Sequence, residues 1–328
     1  MTVPVLLEIA VGGVATPTAG DAFAAGGSLA AGGSLAAGGL LAAGGSPGLV
    51  PLAAAAEVAA AAERAGVVAL RVRADAVGAG GAAPALDPSV VAAYLAGRTT
   101  ELGYLIDLPT TGNAPYNAAR RVLSFDRAVG GRAGVVLRPG AGDEVSAAAA
   151  PDPGADSPAE RWAEYATVLT RLWESFPRSA LLGDQERALV LDDALITPID
   201  FAGRYYRVAG PLDGPSSVQG RPVLAVEAAA AVADRALADV VIVERGAAAP
   251  AGSFALIGRA EVSAATDPAE LATWASGFDA VLLAPVGGAE AVRDTIDRVV
   301  PALARHEPHP TLRAALGLPV PTIEEVPA

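Results

Sequence analysis

Eight short apolar runs, separated by segments of helical period, limit this chain to very few architectures. The runs cover residues 3–11, 67–73, 102–108, 133–138, 222–227, 239–243, 253–258 and 279–284. Helical patterns lie between them at 49–65, 88–96, 116–128, 159–176, 229–237, 268–276 and 289–305. Strands that are apolar on both faces and joined through helices form parallel sheets covered on both sides. Eight such units in 328 residues predict an α/β fold, a single (β/α)8 TIM barrel spanning 1–328. A doubly wound open sheet is the alternative, because periodicity does not report closure. Asp267-Pro268 and Ser157-Pro158 are expected to start helices, with a capping side chain followed by proline at the first helical position.

Three segments depart from the repeat. Residues 194–215 read as two short strands around Gly203, a β-hairpin inserted before the fifth barrel strand and expected on a βα loop over the active-site end. Residues 20–48 are low in complexity, with AAGGSL-like units repeating through 24–46. Four short copies of Ala and Gly cannot stack into a β-helix core, so a loop that adds little to stability is expected. Residues 306–328 read as a C-terminal tail.

Composition removes several kinds of function. The net charge is -13 and every basic residue is Arg. An acidic chain without a basic cluster is a poor partner for nucleic acid or for anionic membranes, so a small molecule or another protein is the expected ligand. There is no Cys, hence no disulfide, thiolate nucleophile or zinc–thiolate site. Without Lys there is no Schiff base and no P-loop lysine. Glu57 and Glu63 interrupt the Ala-rich stretch that comes closest to a membrane span. The opening MTVPVLLEIAVGG carries no basic region, so a signal peptide is not expected and a cytoplasmic location is.

Several smaller constellations have plain readings beside functional ones. GAGGAA at 78–83 fits a dinucleotide-binding pattern, but Pro84 follows where a helix should begin. Asp192-Asp193 and Glu324-Glu325 are acidic pairs in polar surroundings, read as solvated surface. Asp143-Glu144 falls in a Gly-rich loop after the fourth run, where barrels place chemistry. His306 and His309 have a two-ligand spacing on a Pro-flanked tail, a poor rigid platform, and no metal site is expected. Arg120-Arg121 reads as a solvated helix face, and Tyr205-Tyr206 as alternating sides of a strand.

Four segments, in order, carry a family resemblance: NAPYNAARRVLSFDRAVGGRAG (113–134), ERWAEYATVLTRLWESF (160–176), ITPIDFAGRYYRVAGPLDGPSSVQGRPVL (196–224) and GFDAVLLAPVGGAEAVRDTIDRVVPALAR (277–305), with TLRAALGLP (311–319) closing the chain. They resemble the luciferase-like flavin-dependent monooxygenases of the nitrilotriacetate and dibenzothiophene-sulfone type. The third is similar to that family's Asp-x-x-Gly-Arg-Tyr/Phe-Tyr/Phe run, followed by Gly-Pro-Leu and Gly-Arg-Pro-Val. The resemblance implies a barrel oxidoreductase that uses reduced FMN and O2 on a small organic substrate, often as a homodimer or as a heteromer with a related barrel. Whether FMN or a deazaflavin serves is left open.

Carried across residue by residue, the resemblance implies altered cofactor contacts. The acidic residue after the second strand corresponds to Asp75. Asp107 stands where a small hydroxyl residue lies near the flavin ring, and Val136 where an Asn commonly contacts it. Ala228, Ala229 and Ala230 replace a Gly-Ser-Ser run whose amides and hydroxyls hold the FMN phosphate, and Arg138 could supply compensating charge. Each lost hydrogen bond to a charged group costs roughly 1.5–3 kcal/mol, so FMN is expected to bind weakly, above about 10 μM. Restoring Asn at 136 and Ser at 229 and 230 is expected to tighten it. No catalytic residue is named from sequence. The alternative is a non-catalytic paralogue that has lost flavin and serves as a structural or partner subunit.

Overall fold

The computed structural model describes residues 3–12, 49–74, 86–140, 151–152, 154–304 and 307–321. The strands, in chain order, are β1 (Val5–Gly12), β2 (Leu49–Pro51), β3 (Ala69–Arg73), β4 (Gly103–Pro109), β5 (Ala133–Arg138), β6 (Leu181–Asp184), β7 (Leu189–Leu191), β8 (Phe201–Ala202), β9 (Arg207–Val208), β10 (Val223–Glu227), β11 (Val240–Glu244), β12 (Ala255–Val262) and β13 (Ala280–Pro285). The helices are α1 (Leu52–Arg64), α2 (Pro88–Ala96), α3 (Pro115–Ala128), α4 (Pro158–Glu174), α5 (Pro268–Ala275), α6 (Ala289–Asp294), α7 (Val300–Leu303) and α8 (Leu312–Ala315).

Eight of these strands run parallel in the order β1-β3-β4-β5-β10-β11-β12-β13, and Val5, Leu6 and Leu7 pair with Val281, Leu282 and Leu283 to close the ring. That pairing excludes the open sheet: the fold is a TIM barrel. β2 adds a short parallel strand beside the end of β1. The expected caps form at α5, where Asp267 accepts from the Ala269 amide, and at α4, where Ser157 accepts from Glu160.

Alternation along each strand divides the core. Val5, Leu7, Ile9 and their equivalents face the helices, whereas Leu6, Leu105, Val136, Ala225, Ile242, Ile257 and Leu282 meet inside the barrel. Leu312 and Leu316, from α8 and the residue after it, join this interior cluster and form its floor. Gly134 belongs to the same interior face of β5. A methyl group there would come within 2.7 Å of the Val223 carbonyl oxygen, so close approach of β10 requires glycine.

The structure corrects four expectations. The helix expected over 229–237 does not form. A turn follows β10, and one 3-10 turn, Arg235–Leu237, is started by the Asp234 side chain accepting from the Ala236 amide. The last helix is interrupted by a π-turn at Thr295–Val299 just before Pro301, which has no N–H to continue the regular ladder. The 194–215 hairpin forms as β8 and β9, but it follows α4 and so lies on an αβ connection rather than a βα loop. It reaches the C-terminal end of the barrel only by running back along α4, where the Glu164 carboxylate accepts from the amides of Arg204, Tyr205 and Tyr206. Tyr205 and Tyr206 are therefore both buried: Tyr206 packs edge-on against Tyr165, and the Tyr205 hydroxyl accepts from the Ser157 amide. A second hairpin, β6–β7, was not expected.

The 20–48 loop, the 78–83 glycines, Asp75, Asp143-Glu144, His306 and Glu324-Glu325 lie outside the described residues. No described helix is long and apolar enough to cross a membrane.

Candidate active site

TIM barrels place chemistry where the strands end, and here the interior changes character at that level. Above the apolar floor, each of seven strands turns a charged residue inward: Glu8 from β1, Arg71 and Arg73 from β3, Asp107 from β4, Arg138 from β5, Glu227 from β10, Glu244 from β11 and Arg259 from β12. Four carboxylates meet four guanidiniums, so the layer is neutral as a whole.

Arg71 is the hub. Fully buried, it donates through Nε to Asp107 at 2.9 Å and through Nη2 to Glu227 at 2.6 Å, and its Nη1 lies 3.3 Å from Glu8. Arg259 forms a second centre, donating to Glu8 at 2.7 and 3.0 Å and to Glu244 at 2.9 and 3.0 Å. Arg73 also reaches Glu8, at 3.2 Å, and Arg138 reaches Asp107, at 3.3 Å.

Burial is the largest influence on Glu8, Arg71, Asp107, Glu227 and Arg259. It pushes the Glu8 carboxyl up, but Arg71, Arg259 and Arg73 together bring it down to about 2. Burial likewise opposes ionisation of Glu227, and Arg71 overcomes it and leaves that carboxyl below its ordinary value. For Asp107 burial outweighs the pull of Arg71 and Arg138 and raises the carboxyl, so it takes up a proton before Glu8 as pH falls. Burial works against the charge on Arg71 too, but Asp107, Glu8 and Glu227 raise it well above its usual range.

Six of the seven residues singled out from sequence are described, and they fall into two places. Asp107 and Arg138 belong to the ionic layer. Val136 faces the same interior one step lower, in the apolar cluster. Ala229 and Ala230 line a recess of about 190 Å³ with Leu137, Arg138, Pro139 and Glu227, and Ala228 leads into it. Glu8, Arg71, Arg73, Glu227, Glu244 and Arg259 were missed. Their signal was charge inside an otherwise apolar strand, one residue in VLLEIAVG and two in ALRVR. A charge with no polar face to turn to must meet a partner inside.

These residues can be tested against the flavin that the resemblance implies. The recess is smaller than the ~300 Å³ lower bound of ordinary ligand pockets. Its cation, Arg138, stands beside the Glu227 carboxylate, which disfavours a phosphate. The Ala228 amide donates to Ile242 and the Ala230 amide to Glu227, so neither is directed at a ligand. Arg235 closes the turn from the other side, its Nη2 donating to the carbonyls of Ala228 and Ala230 at 2.9 and 3.0 Å. With no long helix starting after β10, the helix terminus that often holds a phosphate is missing there as well. Among the described residues, the turn after β10 thus directs neither the Ala228 nor the Ala230 amide at a phosphate.

The remaining candidates have structural roles. Arg120 pairs with Asp213 at the surface, Asp192 caps the Ala194 amide, and His309 is half-buried near Glu307 and Arg132. Among the described residues no group of three or more His, Asp or Glu is placed to hold a metal ion.

Comparison with known proteins gives consistent matches. The family profile described as "Luciferase-like monooxygenase" matches residues 31–323. The chain is 32% identical over 151 residues to dibenzothiophene-sulfone monooxygenase of Rhodococcus erythropolis, covering 45% of this chain and 33% of that protein. It is 33% identical over 147 residues to nitrilotriacetate monooxygenase component A of Aminobacter aminovorans, covering 42% and 31%. A subunit of the pristinamycin IIA synthase of Streptomyces pristinaespiralis is 30% identical over 155 residues, covering 47% and 51%. The matches thus span about a third to a half of the length of these relatives. In fold the chain is similar to EDTA monooxygenase from Chelativorans sp. BNC1, with a TM-score of 0.65 at 16% identity over 97% of this chain and 99% of that one.

Proposed function

Because this chain belongs to the luciferase-like monooxygenase family, we propose that it is a divergent flavin-dependent monooxygenase of small organic compounds that holds FMN only weakly. The observation that carries the weak-binding part is the turn after β10, whose Ala228 and Ala230 amides are already engaged within the protein. Family membership supports the reaction class. Two of the relatives carry names that make them parts of larger systems, one a component and the other a subunit, and by analogy we extend a partner protein to this chain. A small-molecule substrate and a cytoplasmic location belong to the same proposal.

The test is titration of FMN by fluorescence quenching, with a dissociation constant above about 10 μM expected. Substrate-dependent O2 uptake with FMN kept reduced by a separate flavin reductase tests the reaction class. Submicromolar FMN binding by the unaltered chain would refute weak binding. Ala229→Ser with Ala230→Ser is expected to tighten FMN about tenfold, since each hydroxyl adds a bond to a charged group. Val136→Asn is left out of that pair, because it would bury an amide in the apolar interior.

A second reading has its own observation. The neutral ionic layer already satisfies its charges within the upper barrel, which suits a non-catalytic paralogue acting as a structural or partner subunit. Millimolar FMN that leaves both fluorescence and thermal stability unchanged would favour it over the first.

A further inference from the structure

Two members of the ionic layer, of opposite charge, face the same small recess. Arg138 and Glu227 both line the space of about 190 Å³ beside the turn after β10. Their side chains are 30% and 27% exposed, whereas those of Arg71 and Asp107 are fully buried. The backbone sets them side by side. β5 and β10 pair in parallel through Val136 and Ala225, and Arg138 and Glu227 each lie two residues further along, on the same face. Neighbouring strands are about 4.8 Å apart, so the guanidinium and the carboxylate rise from adjacent positions. Each is anchored from behind. Glu227 accepts from Arg71 through Oε1 at 2.6 Å, and Arg138 donates through Nη1 to Asp107 at 3.3 Å. Leu137, Pro139, Ala229 and Ala230 supply the apolar walls. At ~30 Å³ per water, the recess holds roughly six water-sized atoms.

We propose that this recess binds a small α-amino acid, with its ammonium on Glu227, its carboxylate on Arg138 and a short side chain against Ala229 and Ala230. Charge balance selects a zwitterion. The layer is neutral, so a ligand of net charge would leave one charge uncompensated in a half-buried place, which is costly. A zwitterion adds one charge of each sign and leaves the balance as it was. A simple carboxylate would meet Glu227, and a simple amine would meet Arg138. Spacing selects the α-amino acid, whose two charged groups share one carbon and so match two receptors on adjacent strands. Size restricts the side chain to a methyl group or little more.

The site needs no flavin, so its failure is distinct from failure of the monooxygenase reading. Isothermal titration calorimetry of the full chain without FMN is expected to show glycine and L-alanine binding at one site per chain, with dissociation constants below about 1 mM. N-acetyl-L-alanine, which lacks the ammonium, and L-alaninamide, which lacks the carboxylate, are each expected to bind at least about tenfold more weakly. Arg138→Gln should weaken L-alanine more than L-alaninamide, and Glu227→Gln should weaken L-alanine more than N-acetyl-L-alanine. A purely structural role would weaken both ligands of each pair alike. Ala229→Leu changes an exposed wall residue, leaves the ionic layer intact and is expected to abolish binding by filling the recess. If either charge variant fails to fold, the ligand series and Ala229→Leu decide the matter. No heat from glycine or L-alanine at millimolar concentration, equal affinity for the two blocked derivatives and L-alanine, or binding indifferent to Ala229→Leu would each overturn the proposal.

Discussion

Replacing Arg71 by Met separates the energetics of the ionic layer from simple packing. Arg71 is fully buried and is the contact through which Asp107, Glu227 and part of Glu8 are neutralised. Met keeps much of the aliphatic stem but leaves four carboxylates facing three guanidiniums. Among the described residues Asp107 retains Arg138, at 3.3 Å, and the more distant charge of Arg73, while Glu8 keeps Arg73 and Arg259. Breaking a buried pair by removing one partner costs about 3–5 kcal/mol, and a loss of that size is expected in urea unfolding. Fluorescence of Trp162 and Trp173, both fully buried, reports the transition. Adding Asp107→Leu restores neutrality at three charges of each sign. The double variant is then expected to be more stable than Arg71→Met alone, with a coupling of about 2 kcal/mol. A single variant within about 1 kcal/mol of the unaltered chain, or a double variant no better than the sum of the two singles, would refute the idea that charge balance holds the layer together.

Other predictions concern separate parts of the barrel. Burial raises the Asp126 carboxyl to about 6, only partly offset by its hydrogen bonds with Ser217, Ala133 and Gln219. The folded state therefore keeps a proton that the unfolded state releases, and stability falls as pH rises from about 4 to 6. Asp126→Asn is expected to stabilise the protein by on the order of 2 kcal/mol at pH 8 and much less at pH 4.5, read from urea midpoints. Glu8 behaves in the opposite sense. With its carboxyl held at about 2, its contribution is intact above about pH 4.5 and is lost as pH falls toward 2, so Glu8→Gln should flatten the acid limb of the stability profile. Glu164→Ala removes the acceptor of three amides at the hairpin tip, and faster hydrogen exchange at residues 204–206 is expected, with α4 unaffected. Gly134→Ala drives a methyl group into the Val223 backbone and is expected to cost about 1–3 kcal/mol by thermal unfolding.

The barrel was legible in the sequence because each strand is a contiguous apolar run and several helices start at Asp or Ser followed by Pro. Those signals are local. The ionic layer was not legible, because its members meet across the ring: Arg71 and Asp107 lie 36 residues apart, and Arg259 and Glu8 lie 251 apart. Asp107 was read as a lone carboxylate beside a cofactor, whereas two guanidiniums share it. The 229–237 segment misled for a different reason. Its alanines favour a helix intrinsically, but Asp234 caps a single turn and Arg235 folds back on the carbonyls that a helix would need. The β6–β7 hairpin lacks the strict alternation of a half-buried strand, since both of its faces are exposed.

Ring closure between β1 and β13 also sets an order of events during synthesis. The first strand to leave the ribosome finds its second neighbour only when residues 281–283 have been made. At about 5–20 residues per second, roughly fifteen to fifty-five seconds separate the two. Through that interval one edge of β1 has no strand beside it over residues 5–7, and the Leu312 floor has not yet been translated. A nascent chain halted before residue 280 therefore carries seven of the eight staves and holds no barrel.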